Sequence, residues 1–178
     1  MKVINLFGGP GTGKSTTAAG IFNRMKVQGY NVELVTEYAK DMTWEGRDNV
    51  LADQLYILAK QHRRLERLQG KVDWAVVDSP FILGLIYAPE NYFKHFEPLV
   101  MEMWDSYENI NFMLERSFEY QPIGRLGTES AAKSIDTQLD AFLARHNITG
   151  QHIGIEEFNT DVVTKIVELA TGGLNSGS

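Results

Sequence analysis

Eight residues near the start of the chain constrain the fold more than any others. Gly8-Gly9-Pro10-Gly11-Thr12-Gly13-Lys14-Ser15 fits the pattern G-x-x-x-x-G-K-[ST]. An apolar segment at 3–7 reads as a strand leading into it, and 13–28 reads as an amphipathic helix leading out. Glycines let the backbone curl until successive N–H groups point inward, and the following helix aims its positive end at the same spot. The run Gly9, Pro10, Gly11, Thr12, Gly13, Lys14, Ser15 and Thr16 is therefore expected to wrap the phosphates of a nucleoside triphosphate. Lys14 supplies a point charge to the β- and γ-phosphates. Ser15 offers a hydroxyl to Mg²⁺, and Thr16 adds a hydrogen bond to the phosphates.

Such a loop needs a sheet behind it, and the rest of the chain supplies one. Strand-like segments at 3–7, 32–36, 74–78, 110–114 and 152–155 alternate with helix-like segments at 13–28, 49–68, 93–107, 129–146 and 160–170. Alternation of this kind predicts an α/β fold of three layers: a five-stranded parallel sheet, order 2-3-1-4-5, flanked by helices. Apolar pairs and runs in the first three strands suit burial on both faces. In 49–68, Leu51, Leu55, Leu58, Leu65 and Leu68 form one stripe, with Arg63, Arg64 and Arg67 largely off it. At 178 residues the chain is the size of one domain, assigned to 1–171; the small, polar 172–178 reads as a flexible tail or linker remnant.

Bulk chemistry excludes several classes. No run approaches the ~18 apolar residues of a membrane span, and the start does not read as a signal peptide. There is no cysteine, so disulfides and thiolate metal sites are out, and a reducing cytoplasmic location fits. A net charge of −6 disfavours generic nucleic-acid binding, though not a local basic groove. His62, His95, His146 and His152 show no metal-ligand spacing.

Two carboxylates follow strands. Trp74-Ala75-Val76-Val77-Asp78 is an apolar strand ending in an acid, placed to reach the magnesium ion beside Ser15. Asp78 also suits a cap for the Ser79-Pro80 turn, and both roles can hold. Glu37 closes the second strand. Ligands in open α/β sheets collect beyond the carboxyl ends of strands, so Glu37 should face the loop's crevice and accept or orient an acceptor proton. A surface pairing of Glu37 with Lys40 or Arg47 is the plainer alternative.

Residues 115–128 break the rhythm: polar, with Pro122, Gly124 and Gly127, flanked by Arg116 and Arg125. A mobile lid carrying these arginines would cover the migrating phosphoryl group with positive charge and exclude water. Tyr38, Trp44, Arg47, Gln54, Arg63, Phe81 and Tyr87 lie on segments expected to surround the acceptor; aromatic faces can stack a base and Gln54 can read its edge. Arg63, Arg64, Arg67 and Lys71 form the one basic stripe able to meet a nucleic-acid backbone, or a solvated helix face. Phe158, Asn159 and Thr160 are expected to border the adenine.

This order of motifs resembles the thymidylate-kinase-like branch of P-loop kinases. In that branch an acid closing the second strand faces the acceptor, an acid follows the third, and a lid carries arginines. More narrowly, Asn5 to Ala19 and Glu33-Leu34-Val35-Thr36-Glu37-Tyr38-Ala39-Lys40 resemble phage-encoded kinases, some of them 5-hydroxymethyluracil DNA kinases. The resemblance implies catalysis by Lys14, Glu37, Asp78, Arg116 and Arg125, with ATP and Mg²⁺ as cofactors. It implies as acceptor the hydroxymethyl group of 5-hydroxymethyluracil in phage DNA, in the host cytoplasm. Ser79-Pro80 stands where thymidylate and deoxynucleoside kinases carry an Asp-Arg pair, which weakens the case for a plain monophosphate kinase. A kinase of a free nucleoside, including a nicotinamide-riboside type, is the first rival; a nucleotide-dependent switch or ATPase is the second.

Overall fold

The computed structural model describes residues 1–115, 129–154 and 160–173, without the side chains of 129–133 and 160. Five strands form one parallel sheet: β1 (Lys2–Phe7), β2 (Val32–Val35), β3 (Trp74–Val77), β4 (Glu108–Glu115) and β5 (Gln151–Gly154). Their spatial order is β2-β3-β1-β4-β5, as the alternating pattern predicts. β1 is central, pairing with β3 from Lys2↔Trp74 and with β4 from Lys2↔Glu108. The loop that leaves β1 is thus flanked by the ends of two strands on either side.

Period two in the strands decides which face each side chain covers. Ile4 and Leu6 pack with α1 (Lys14–Val27) and α8 (Thr160–Thr171) through Ala18, Ile21, Ile166 and Val167. Val3 and Phe7 face the other way, onto α4 (Gln54–Glu66), α6 (Phe96–Asp105) and α7 (Glu129–Arg145) through Leu58, Leu65, Val100, Trp104 and Leu139. Asn5 is the buried exception on β1, and its amide donates to Asn109 Oδ1 (2.9 Å) and Asn111 Oδ1 (3.1 Å) on β4.

Three elements differ from the sequence reading. The expected helix 49–68 is two: α3 (Asp48–Leu51) and α4, because the Asp53 side chain accepts from the Tyr56 N–H (3.1 Å) and caps a new start. Its inward face is Gln54, Ile57, Leu58, Gln61 and Leu65, whereas Leu55 is 45% exposed. The chain after β2 turns at once into α2 (Tyr38–Trp44), and after β3 into a 3₁₀ turn (Phe81–Leu83) and α5 (Gly84–Tyr87); neither was expected. No described helix is long and apolar enough to cross a membrane.

Gly8 shows why the loop tolerates so little. Its φ is +145°, and a Cβ there would lie 2.5 Å from Thr12 Oγ1 and 2.9 Å from the Leu114 carbonyl oxygen. Gly8→Ala is expected to cost about 1–3 kcal/mol of stability, the scale of a strained backbone position. Nucleotide affinity should fall with it. Denaturant midpoints and a fluorescent-nucleotide titration check both.

Candidate active site

The phosphate loop is stiffened from within. Gly11 and Gly13 take φ of +89° and +85°, and α1 begins immediately at Lys14. Thr12 is buried at 1% exposure, with its hydroxyl donating to the Gly9 carbonyl (3.0 Å), so its side chain braces the loop. Lys14 Nζ donates to the carbonyls of Gly8 (2.7 Å) and Gly9 (3.0 Å). Gly9 donates its N–H to Asp136 Oδ1 on α7 (2.8 Å), a tertiary contact that ties this helix to the loop.

Glu37 stands between β2 and α2 and lines the same cleft as the loop. Burial raises its pKa above the ordinary 4.5, and the Asp78 carboxylate adds to this. Lys14, Lys40 and a hydrogen bond from Ser79 oppose the shift. Such a carboxylate is a stronger proton acceptor than a free one. Lys40 does not form a simple surface pair with Glu37: its ammonium donates to Ser15 Oγ (3.1 Å). Arg47 pairs instead with Glu45 (3.5 Å).

Asp78 is 3% exposed, and its Oδ1 has no hydrogen-bond partner. A buried carboxylate oxygen left unpaired is costly unless a cation meets it. Asp78 does not itself line the cleft, but its charge acts on Glu37, which does; with the Ser15 hydroxyl it would give an all-oxygen donor set of the kind magnesium takes, the remaining positions going to phosphate and water. The residues present therefore fit the ion. Among the described residues no group of three or more His, Asp or Glu could hold a metal by itself.

What holds the two strand ends is a glutamine that the sequence reading passed over. Gln61 is buried; its Oε1 accepts from the Tyr38 N–H (2.7 Å) and its Nε2 donates to the carbonyls of Thr36 and Ser79 (both 3.2 Å). These residues adjoin Glu37 and Asp78 in sequence. Arg64 adds a second clamp, donating to the Thr36 carbonyl (3.1 Å), to Thr36 Oγ1 (2.8 Å) and to Asp41. Arg64 is thereby drawn out of the expected basic stripe.

The cleft measures about 620 Å³ and runs from the loop past Glu37 to α4, α5 and α7. Trp44, Gln54, Phe81 and Tyr87 all line it. Phe81 is held edge-on by His62 (5.5 Å), Trp104 (6.0 Å) and Tyr107 (6.2 Å). Gln54 is 7% exposed; its Nε2 donates to the Leu51 carbonyl (2.7 Å), and its Oε1 has no partner. The Tyr87 phenol has a raised pKa, from desolvation first and then from Glu37 and Asp136.

Three expected acceptor residues are elsewhere. Tyr38, which does not line the cleft, packs edge-on to Tyr56 (6.0 Å) with Arg64 over its ring (5.2 Å). Arg47 and Arg63 are exposed and do not line the cleft either, since the turn of α4 points Arg63 outward while Gln61 and Leu65 face in. Arg116, Arg125, Phe158 and Asn159 lie outside the described residues, as does the Thr160 side chain. His62 serves the packing: its Nε2 lies 3.0 Å from the Tyr107 hydroxyl, which also donates to Glu66 (2.8 Å).

Comparison with known proteins gives the family and the fold. A family model described as an AAA domain matches residues 3–156. A search of curated proteins finds no match. Among solved structures, a deoxyadenosine kinase from M. mycoides with bound dATP has TM-score 0.55 and 18% identity, covering 99% of this chain and 100% of that one. A NadR protein in complex with NAD and AMP-PNP has TM-score 0.68 and 18% identity, covering 99% of this chain and 51% of that chain; this chain therefore spans about half of NadR. At these identities the likeness shows the fold.

Proposed function

The chain belongs to the AAA domain family, and from that premise we propose that it is an ATP-dependent kinase that phosphorylates a hydroxyl on a nucleoside-type acceptor. The observation that carries this reading is one cleft holding the phosphate loop and the burial-tuned Glu37, with Gln54, whose buried Oε1 has no partner, in its wall. A flat apolar body with one polar edge suits walls made by Phe81, Leu83 and Trp44, and a ring N–H would satisfy Gln54. The neighbouring structures act as analogy: a deoxyadenosine kinase and a NadR protein share the fold.

In the proposed reaction the acceptor oxygen attacks the γ-phosphorus, and the bond from that phosphorus to the β-phosphate bridging oxygen breaks. The hydroxyl proton passes to Glu37. Lys14 and the loop N–H groups stabilise the migrating group, and Gln61 keeps the Glu37 and Asp78 segments in register. Magnesium, held by Ser15 and Asp78 when bound, supplies neutralisation of phosphate charge. Arg116 and Arg125 are assigned to a lid over the same group. Adenine is assigned to the side of Phe158, Asn159 and Thr160.

A second reading, 5-hydroxymethyluracil within DNA, is favoured by two surface features. Arg63, Arg67 and Lys71 are exposed on α4 and the turn after it, and Trp44, 64% exposed, stands in the cleft wall. Both readings use the same base and the same loop.

The test is transfer of label from γ-labelled ATP with magnesium to duplex DNA carrying 5-hydroxymethyluracil, to unmodified duplex DNA, and to a panel of nucleosides and monophosphates that includes nicotinamide riboside. Label on a free nucleoside is the expected outcome. Label on the modified DNA alone, weakening as salt rises, selects the second reading. Rapid ATP hydrolysis with transfer to none of them rejects the kinase and leaves a nucleotide-driven switch.

A further inference from the structure

Among the described residues, Lys40 is the one charged side chain lining the cleft to which the proposed reaction gives no role. It lies within α2, three residues beyond Glu37, and lines the cleft with Glu37, Lys14 and Ser15. Its ammonium donates to Ser15 Oγ at 3.1 Å, so it occupies the hydroxyl assigned above to the metal. Its charge also reaches Glu37. One flexible cation thus connects the nucleotide side of the cleft with the acceptor side.

Phosphoryl transfer spreads negative charge over the equatorial oxygens of the migrating group, and positive charge there lowers the barrier. An ammonium on a four-carbon stem can follow that charge without rebuilding the backbone. Lys14 is anchored by the Gly8 and Gly9 carbonyls where α1 begins, and its charge acts on Glu37 ahead of that of Lys40, so both lysines face the same carboxylate. The geometry points to Lys40 as a second catalytic lysine, which gives up the Ser15 hydroxyl when the metal–nucleotide complex arrives and then lies against the transferring phosphoryl group beside Glu37. No extra reactant is needed, because the bonds made and broken are those of the transfer described above. The inference rests on the kinase reading.

Two measurements on Lys40→Met and Lys40→Arg test it. In steady-state transfer, Lys40→Met should lower kcat by about 10²- to 10³-fold, the scale for losing one donor to transition-state charge, with the acceptor KM little changed. Lys40→Arg, which keeps the charge, should recover part of the loss. Separately, binding of a fluorescent ATP analogue is titrated with magnesium, with no acceptor present. Removing a cation that competes for Ser15 should lower the half-saturating magnesium concentration in Lys40→Met. A kcat within about threefold of wild type, or a magnesium requirement that rises, overturns the proposal. If Lys40→Met does not fold, Lys40→Gln carries the same two measurements. If the wild-type protein labels no acceptor, the kinase reading fails, while the magnesium titration still decides whether Lys40 and the metal share Ser15.

Discussion

Replacing Glu37 with Gln is expected to cut phosphoryl transfer at least about 10²-fold, the scale for a positioned base, while ATP binding stays near normal. The same substitution should make the folded protein more stable at neutral pH. Glu37 has a folded-state pKa above its ordinary value, burial being the main cause and Asp78 the second. A carboxyl shifted in that direction favours folding below its unfolded pKa, and the benefit is lost as pH rises through the folded value. Above that window the ionised group is a burden, only partly offset by Lys14 and Lys40. Gln keeps the shape and discards the charge. Denaturant midpoints should therefore rise for Glu37→Gln at pH 7, and the gap should shrink or reverse near pH 4. Wild-type transfer should fall on the acid side at a higher pH than an ordinary glutamate would give. Transfer that survives the substitution unchanged would reject Glu37 and promote Asp78 as the base. A lower midpoint at pH 7 would mean that the two lysines compensate the burial in full.

The contrast between what was legible in the sequence and what was not follows from how local each signal is. The loop could be read because its chemistry is written in consecutive residues: Gly8, Gly11 and Gly13 need positive φ, and Lys14 and Ser15 follow directly. Glu37 and Asp78 could be read because each follows an apolar strand, and strand ends share one edge of the sheet. Gln61 could not be read by hydrophobic periodicity, which took Leu55 for the core and passed Gln61 over, whereas Gln54 was expected at the acceptor for its amide. Yet Gln61 lies on the line of Leu58 and Leu65, and a polar residue on an apolar helical stripe was the available signal. Asp136 gave no signal at all. Its contact with the Gly9 N–H joins residues 127 positions apart and depends on how α7 packs against the sheet. Tyr38 was misplaced because the unforeseen helix α2 turns the chain immediately after Glu37, and Arg63 because the turn of α4 points it outward while Gln61 and Leu65 face in.

Asp78→Asn is expected to reduce transfer by about 10²- to 10³-fold, the equivalent of several kcal/mol of lost charge stabilisation at the metal. It should also raise the half-saturating magnesium concentration at least about tenfold, read from initial rates and from metal-dependent binding of a fluorescent nucleotide. Asp78 has two candidate roles, and this substitution separates them. Asn serves a turn or cap nearly as well as Asp, so a purely structural Asp78 predicts a small effect on both readouts. The backbone is held independently, with the Asp78 N–H donating to the Val35 carbonyl (3.1 Å), so the strand end should survive the change. What Asn cannot supply is a negative oxygen for a cation. The buried Oδ1 without a partner becomes either an amide N–H₂, which repels the ion, or a neutral carbonyl, which holds it weakly. Loss of transfer with unchanged magnesium dependence would remove Asp78 from the metal and make it the rival proton acceptor to Glu37. Near-normal values for both would leave it only the Ser79-Pro80 turn.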